Sequence, residues 1–256
     1  MTSTSPVIQL MASLLWQAKY GVIFSGAGIS TRSGIPDFRS PDSGLWAKYD
    51  PREVASIGGF VRHPEAFYEW IRPLARTIWD AQPNGAHQAT AWLQQQGHIK
   101  HIITQNIDGL HQKAGAKGVT EVHGTLYSMT CVLCGRVYQT ADYLDELILK
   151  GDIPRCPVDQ GMLKPNTILF GEQLPYRAIG EARSSAQKAD LMLILGTSLE
   201  VAPVSELPRY ALANNAKLII INYDKTYLDD QATLVINGDV SEILPQVVAA
   251  MQTGKG

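Results

Sequence analysis

Val22-Ile-Phe-Ser-Gly-Ala-Gly-Ile-Ser30, near the start of this 256-residue chain, joins a short apolar run to a glycine-rich turn. The apolar run is typical of a buried β-strand. Gly26 and Gly28 carry no side chains, so backbone N–H groups can approach a phosphate at the N-terminus of a following helix. The segment therefore predicts a strand, a phosphate-binding turn and a helix. A turn needed only for tight strand–helix packing is the simpler alternative.

The same pattern recurs along the chain: apolar runs at 99–104, 191–195, 218–221 and 233–236 are each followed by a polar stretch. Unbroken apolar strands suit a parallel sheet covered by helices on both faces. The pattern predicts an α/β fold with a doubly wound parallel sheet. Ligands of such sheets bind beyond the carboxyl ends of the strands, so the glycine turn and the polar residues after these runs should share one crevice.

Charge and composition exclude several function classes. The chain has 22 Lys+Arg against 24 Asp+Glu and no basic stripe, which argues against direct nucleic-acid binding. Its apolar runs are far shorter than the ~20 residues that span a bilayer, so no membrane contact is expected. The start has no basic region typical of a signal peptide. Three cysteines without an export signal indicate a reducing, cytoplasmic setting and a metal or free-thiol role.

The loop after the turn separates this chain from ordinary dehydrogenases. Gly26 and Gly28 are followed by Gly34, which is not the G-x-G-x-x-G spacing of those enzymes. Ser33-Gly-Ile-Pro-Asp-Phe-Arg-Ser40 then places an acid, an aromatic ring and a permanent cation beside the turn. Such a loop can cover a bound nucleotide.

Six motifs occur in a fixed order along the chain. They are Gly26-Ala-Gly-Ile-Ser30, Ser33-Gly-Ile-Pro-Asp-Phe-Arg39, Thr104-Gln-Asn-Ile-Asp-Gly-Leu-His111, Val122-His-Gly124, Phe170-Gly-Glu172 and Gly196-Thr-Ser-Leu199. With these motifs the chain closely resembles the sirtuins of prokaryotic type, from about residue 12 to about 248. The resemblance implies an enzyme that consumes NAD and transfers the acyl group of a protein lysine to ADP-ribose. Nicotinamide and O-acyl-ADP-ribose would be released.

The resemblance also implies a division into two domains. A Rossmann-like NAD-binding domain would comprise residues 1–40, 81–124 and 166–256. A smaller domain would comprise a helical module at 41–80 and a zinc-ribbon module at 125–165. The oligomeric state stays open.

His123 is the expected catalytic base, because an imidazole with a pKa of about 6.5 can accept a proton near neutral pH. In the sirtuin scheme it acts on a ribose hydroxyl after nicotinamide has left, and Asn106 is the second expected catalytic residue. The expected NAD-binding residues are Gly26, Ala27, Gly28, Thr31, Asp37, Phe38, Arg39, Gln105, Asn106, Ile107, Asp108, Gly196, Thr197, Ser198, Asn222 and Val240. The expected substrate-binding residues are Tyr68, Ile168, Phe170, Gly171, Glu172 and Val201. The other histidines are expected to be structural: His63, His87, His98, His101 and His111.

The cysteines suggest a structural Zn²⁺ site. Cys131-x-x-Cys134 and Cys156-x-x-Asp159, separated by 21 residues, have the spacing of a zinc ribbon, with aspartate in place of the fourth cysteine. A carboxylate oxygen can ligate zinc, although such a site should be more labile than an all-cysteine one. A relic loop with a solvated Asp159 is the alternative.

The spacing of Tyr68 and Arg72 predicts the acyl preference. Sirtuins that favour acidic acyl groups carry Tyr-x-x-Arg, whereas here Tyr68 is followed by Ile71, and Arg72 comes one position late. One helical position turns a side chain by about 100 degrees, so acetyl or other uncharged groups are expected. Alternatives to the whole assignment are an NAD glycohydrolase or mono-ADP-ribosyltransferase, and a non-catalytic NAD or metal sensor.

Overall fold

The computed structural model describes residues 5–37, 45 and 49–254. The strands of this part are β1 (Gly21–Ser25), β2 (Ile99–Thr104), β3 (Val119–Glu121), β4 (Gly124–Cys131), β5 (Val137–Gln139), β6 (Leu163–Thr167), β7 (Leu191–Leu195), β8 (Lys217–Asn222) and β9 (Leu234–Asn237). The α-helices are α1 (Pro6–Gln17), α2 (Pro51–Val54), α3 (Ile57–Arg62), α4 (Pro64–Asp80), α5 (Gly85–Gln95), α6 (Leu110–Lys113), α7 (Tyr176–Lys188), α8 (Leu207–Ala213) and α9 (Val240–Thr253).

The main sheet has six strands in the order β3-β2-β1-β7-β8-β9, and every neighbouring pair is parallel. The chain builds outward from β1 in one direction and then restarts at β7 in the other. This arrangement confirms the predicted Rossmann-like doubly wound sheet. The point where the order reverses lies between β1 and β7, so it opens a crevice beyond the carboxyl ends of these two strands.

Helices cover both faces of the sheet, which is why its central strands β1 and β7 are apolar along most of their length. Ile23 of β1 belongs to a core with α1, α5 and α9, whereas Val22 and Phe24 belong to a core with α7 and α8. Successive side chains of a strand point to opposite faces, so an unbroken apolar run fills both cores. All five residues of β1 and of β7 are buried.

A smaller unit is built around a three-stranded antiparallel sheet in the order β5-β4-β6. Phe67, Ile71 and Leu74 of α4 share one hydrophobic core with Met129 of β4 and Leu163 of β6. The helical module and the zinc-ribbon module predicted from the sequence therefore contribute to one core, which confirms a smaller unit that joins helices to a small sheet. The residue limits given for the two domains stay a prediction. In the described part of the chain, every helix is too short or too polar to span a membrane.

Candidate functional site

The glycine turn after β1 is locked against the turn after β7. The Gly28 N–H donates to the Gly196 carbonyl at 2.9 Å, and the Gly26 N–H donates to the Leu195 carbonyl at 3.0 Å. A Cβ on Gly28 would lie 2.8 Å from the Gly196 Cα, and one on Gly26 would lie 2.7 Å from the Thr197 Cβ. Both glycines are therefore required by close backbone approach at the point where the strand order reverses.

Gly196 is the most constrained residue of this contact. Its φ is +57°, and an added Cβ would lie 2.4 Å from the Ile29 nitrogen. We expect Gly196→Ala to lower the affinity for NAD at least about tenfold and the stability by about 1–3 kcal/mol, because only backbone movement relieves the clash. NAD titration and urea unfolding measure the two effects.

Gly180→Ala is the matched control for that substitution. Gly180 lies within α7, and a Cβ there would meet nothing within 4 Å among the described residues. Alanine at this position should stabilise the helix by about 0.5–1 kcal/mol and leave NAD binding unchanged. Wild-type behaviour of Gly196→Ala in both assays would contradict the assigned role of the turn.

A buried polar cluster lies beside the glycine turn. The Ser30 hydroxyl donates to Asp108 Oδ2 at 2.6 Å, and Asn106 Nδ2 donates to Ser30 Oγ and to the Gly26 carbonyl, each at 3.1 Å. Asp108 and Asn106 are both buried. Burial raises the pKa of Asp108, although hydrogen bonds from Ser30 and the Leu110 N–H oppose that shift. Ser30 joins the glycine turn to the Asn106–Asp108 pair.

Two histidines that are predicted to be structural lie next to this cluster. His87 Nε2 lies 3.4 Å from Ser30 Oγ, and the Asn84 N–H donates to His87 Nδ1 at 3.3 Å. His111 lies between Ser25 Oγ at 2.9 Å and Thr90 Oγ1 at 3.1 Å.

Both rings are buried, and burial lowers the pKa of His87 to about 4 and that of His111 to about 3. They are neutral hydrogen-bonding groups at neutral pH. Ser30 and His87 were absent from the predicted site. Of these two residues, only Ser30 could have been identified from the sequence, because it is the polar residue at the end of the glycine motif.

His123 lies between β3 and β4, and its ring is held by the end of β2. Its Nδ1 lies 3.2 Å from the Gln105 carbonyl, and Gln105 Nε2 donates to Thr197 Oγ1 at 2.9 Å. The His123 carbonyl accepts from the Ile168 N–H at 2.9 Å. These contacts link predicted residues from the ends of β2 and β7 with the segment after β6. Because a carbonyl can only accept, Nδ1 carries the proton and Nε2 has the lone pair of a base.

Glu121 is a partly buried acid that the sequence did not single out, two residues before His123. Its Oε1 has no hydrogen-bond partner within the part of the chain that the structure describes. Burial, and secondarily the charge of Asp108, raises the pKa of Glu121 to about 7, despite hydrogen bonds from Gln112 and Thr125. The carboxyl group is therefore half protonated near neutral pH.

The raised pKa of Glu121 predicts a pH-dependent stability. The unfolded acid ionises near pH 4.5 and the folded one near pH 7, so the wild type loses stability as the pH rises through this window. Glu121→Gln does not titrate. We expect the free energy of unfolding of this variant, relative to wild type, to increase by about 1–3 kcal/mol between pH 4.5 and pH 8. Urea unfolding at several pH values measures the difference, and a difference independent of pH would contradict the buried-acid assignment.

The remaining predicted NAD-binding residues lie around the same edge, with two exceptions. Thr31 Oγ1 donates to the Gly28 carbonyl at 3.1 Å, Asn222 ends β8, and Val240 begins α9. Ala27 belongs to the turn, Ile107 lies between Asn106 and Asp108, and Ser198 follows Thr197. The Asp37 carbonyl accepts from the Leu45 N–H at 3.0 Å. Phe38 and Arg39 lie outside the described residues.

Phe170 is the centre of the predicted substrate-binding segment. Its N–H donates to the Ala55 carbonyl at 2.8 Å, and its carbonyl accepts from the Ile57 N–H at 3.0 Å. Its side chain is exposed. Extended backbone pairing ties this segment to the loop between α2 and α3, at the boundary of the larger and smaller units.

Glu172 fixes the rest of the segment. Its carboxylate accepts from the Leu169 N–H at 3.0 Å and pairs with Lys164 at 3.0 Å. Gly171 between these residues has a φ of +82°. Across the crevice, the Val201 carbonyl accepts from the Ser205 N–H at 2.9 Å.

Tyr68 is the predicted substrate-binding residue that lies on α4. Its side chain is buried in the core of the smaller unit, and its hydroxyl donates to the Leu163 carbonyl of β6 at 2.6 Å. Arg72 donates from Nε to the Leu147 carbonyl at 2.8 Å and from Nη2 to the Gly151 carbonyl. Both side chains hold the smaller unit together. The role of Tyr68 in substrate binding stays a prediction.

The four predicted zinc ligands come together. Each of Cys131, Cys134, Cys156 and Asp159 offers one atom, and these atoms all lie within 4.8 Å of one another. Cys134 Sγ lies 3.8 Å from Cys156 Sγ, and Cys131 Sγ lies 3.3 Å from Asp159 Oδ1. Tetrahedral zinc with bonds of ~2.3 Å to sulfur separates its ligand atoms by ~3.8 Å, so the cluster fits a structural Zn²⁺. The Gly161 N–H donates to Asp159 Oδ1 at 2.9 Å and orients the carboxylate.

Comparisons with known proteins agree with this site. The model of the Sir2 family matches residues 26–203. NAD-dependent protein deacylase 2 of Archaeoglobus fulgidus is 44% identical over 242 residues, which cover 94% of this chain and 94% of that protein. A solved structure on the mechanism and regulation of Sir2 enzymes has a TM-score of 0.90 at 43% identity, covering 97% of this chain and 99% of that one.

A second solved structure, Sir2 with a p53 peptide and NAD⁺, has a TM-score of 0.87 at 38% identity, with coverage of 97% and 99%. Both the sequence match and the structural match extend over nearly the whole chain. The chain belongs to the Sir2 family, the sirtuins.

Proposed function

We propose that this sirtuin is an NAD-dependent protein lysine deacylase that acts mainly as a deacetylase. It transfers the acyl group of a lysine to ADP-ribose and releases nicotinamide and O-acyl-ADP-ribose. The observation that carries this function lies at the carboxyl edge of the sheet: Asn106 bonds to the glycine turn, Asp108 bonds to Ser30, and the His123 ring bonds to the carbonyl of Gln105, next to Asn106. The relative from Archaeoglobus fulgidus bears the name of an NAD-dependent protein deacylase.

NAD is the co-substrate, and the crevice where the strand order reverses is its site. The turn of Gly26 to Gly28 faces the pyrophosphate, with Thr197 and Ser198 opposite it. Asn222 and Val240 border the adenosine. Asn106 and Asp108, held by Ser30, border the ribose and the nicotinamide amide. Ser30 and His87 position this pair and take no direct part in the chemistry.

His123 acts as a general base after the acyl oxygen has displaced nicotinamide from the ribose. The Gln105 carbonyl orients the ring through Nδ1, so that Nε2 accepts the proton of a ribose hydroxyl. The deprotonated hydroxyl attacks the carbon of the imidate formed in that displacement. The bond between this carbon and the lysine nitrogen then breaks, the lysine leaves as the free amine, and one water molecule opens the cyclic intermediate to give O-acyl-ADP-ribose. The imidazole therefore acts on the sugar and not on a water molecule.

The acylated peptide adds as a strand between Phe170–Glu172 and the segment from Gly196 to Val201. One edge of Phe170 already pairs with the loop between α2 and α3, and this pairing holds the segment extended. Backbone pairing of this kind recognises little sequence, so many acylated proteins can be substrates. A complex of Sir2 with a propionylated peptide has a TM-score of 0.86 at 38% identity.

We assign the NAD-binding domain to residues 1–40, 81–124 and 166–256, and the smaller domain to 41–80 and 125–165. The zinc cluster lies in the smaller domain and has a structural role, because its ligands belong to or adjoin the core of that domain. A cytoplasmic location accords with thiols gathered at a metal cluster instead of disulfides. Nucleic-acid binding has no support in a net charge of −2.

Mass spectrometry of an acetyl-lysine peptide incubated with NAD tests this function. We expect equal amounts of deacetylated peptide, nicotinamide and O-acetyl-ADP-ribose. Free ADP-ribose with an intact acetyl-lysine would indicate an NAD glycohydrolase instead. NADH formation, followed by absorbance, would indicate a dehydrogenase. No product from folded, zinc-containing protein would contradict the proposal.

Acyl preference can be tested in the same assay. Arg72 is bound to two backbone carbonyls of the smaller unit, and Tyr68 is buried, so neither can pair with an acidic acyl group without breaking these contacts. We expect kcat/KM for an acetyl-lysine peptide to exceed that for the matching succinyl-lysine peptide by at least about tenfold, because a carboxylate without a cation partner is costly to bury. Faster turnover of the succinyl peptide would contradict this prediction.

A further inference from the structure

Asp239 joins three segments that border the proposed NAD site. It lies between β9 and α9, whereas its partner Arg32 lies on the short helical turn Thr31–Ser33, directly after the glycine turn. Its second partner, Tyr223, directly follows Asn222 at the end of β8. We refer to Arg32, Tyr223 and Asp239 as the clasp.

The two oxygens of Asp239 have different partners. Oδ2 accepts from Arg32 Nε at 2.6 Å and from the Tyr223 hydroxyl at 3.1 Å. Oδ1 accepts from the Ser241 N–H at 2.8 Å and from the Ser241 hydroxyl at 2.7 Å. The Asp239 side chain is only 6% exposed. Burial alone would raise the pKa of Asp239, but the hydrogen bonds from Ser241 and Arg32 hold it below its ordinary value, so the carboxylate is ionised.

Helix capping accounts for only half of this arrangement. Asp239 is the N-cap of α9, a role that Oδ1 fulfils through Ser241. Oδ2 instead binds residues that are 207 and 16 positions away in the chain. Arg32 also reaches Glu242 in the first turn of α9, at 3.5 Å. The second oxygen therefore connects the glycine turn to α9 and β8.

The position of the clasp relates it to NAD. Each of its members is next in sequence to an assigned NAD-binding residue: Arg32 to Thr31, Tyr223 to Asn222, and Asp239 to Val240. Thr31 bonds to the glycine turn, which faces the pyrophosphate, while Asn222 and Val240 border the adenosine. A shift between these segments would separate the two halves of the dinucleotide site.

We propose that the clasp is a positioning device that holds the pyrophosphate and adenosine parts of the site at a fixed separation, so that it sets the affinity for NAD. The inference rests on the proposed function for the location of NAD. Within the described residues, the hydrogen bonds given above for the clasp join its members to one another, to Ser241 and to Glu242. Its loss acts on NAD binding and leaves the chemical step and peptide binding unchanged.

Asp239→Asn is the central test, because asparagine caps a helix as well as aspartate does but cannot form the ion pair. We expect the Kd and KM for NAD to rise about tenfold, while kcat and the KM for the peptide stay within about twofold. Arg32→Gln should have the same effect, and the double variant should be no worse than either single one. Arg32→Lys should restore part of the affinity, since the charge remains but the Nε geometry is lost.

Arg209→Gln is the matched control. It breaks an ion pair at 2.7 Å between Arg209 of α8 and Glu206, the residue directly before α8; both side chains are half exposed, and the change should leave NAD binding unchanged. Calorimetric titration with NAD measures affinity without turnover. Wild-type affinity in folded Asp239→Asn and Arg32→Gln, or equal losses of NAD and peptide binding, would overturn the clasp alone. A wild type that binds NAD but does not deacylate would overturn the proposed function alone.

Discussion

His123→Ala should lower kcat/KM for deacetylation by about 10²–10⁴-fold, the usual contribution of a general base. NAD binding should change by less than about threefold, because the ring contacts the end of β2 and is not part of the glycine turn. The proposed step follows the departure of nicotinamide. Exchange of labelled nicotinamide into NAD, in the presence of acetyl peptide, should therefore decline far less than deacetylation.

Two further variants distinguish the loss of the base from the loss of its hydrogen bond and from the general effect of removing a histidine. His123→Asn can still donate from its amide to the Gln105 carbonyl but cannot accept the proton, so it should be as inactive as alanine. His63→Ala is the control, since His63 is an exposed histidine that contacts Glu65. Equal losses of exchange and deacetylation in His123→Ala would place the histidine before nicotinamide cleavage. Activity within about tenfold of wild type would remove it from the role of base.

Cys156→Ser should abolish stoichiometric zinc binding and unfold the smaller unit. The free energy of zinc binding is about 10–16 kcal/mol in small zinc domains, which is as large as the whole free energy of unfolding of a typical protein, about 5–15 kcal/mol. Cys131 and Cys156 are buried in the same core as α4 and β6, so the loss should spread beyond the ribbon. Metal analysis and the unfolding midpoint in urea measure the effect. A chelator should reproduce it in the wild type.

Variants of Asp159 test whether its carboxylate is the fourth zinc ligand. Asp159→Ala should weaken zinc binding, and Asp159→Cys should strengthen it, because thiolate suits zinc better than carboxylate. Val158→Ser is the control: the side chain of Val158 is exposed and lies between two ligands without being one. Full zinc content in Asp159→Ala would exclude Asp159 as a ligand. Wild-type stability of metal-free protein would contradict a structural role of zinc.

Much of the fold was predictable because the signals are local. The apolar runs of β1 and β7 predicted strands buried on both faces, and the six-stranded parallel sheet confirms that reading. The two Cys-x-x pairs were equally informative, since a metal site made of two short loops is encoded in their spacing. The ligand atoms of Cys131 and Asp159 indeed lie within 4.8 Å of the other two.

The direction of the Tyr68 side chain could not be predicted from neighbouring residues in the sequence. The spacing of Tyr68 from Arg72 departs from the acidic-acyl pattern and predicts a preference for uncharged acyl groups, but the direction of the Tyr68 side chain depends on what packs against α4. The Leu163 carbonyl of β6, 95 positions later in the chain, fixes that direction. Spacing along one helix cannot report a partner on another element.

The sequence by itself determined the sheet and the family, and it predicted the glycine turn and the four candidate zinc ligands, because each depends on neighbouring residues or on a fixed order of motifs. Only the tertiary structure decided which polar groups share a buried cluster. Ser30, His87 and Asp108 come from three separate segments, as do Arg32, Tyr223 and Asp239. Their hydrogen bonds and ionisation states depend on burial and distance in three dimensions, which the order of residues along the chain does not contain.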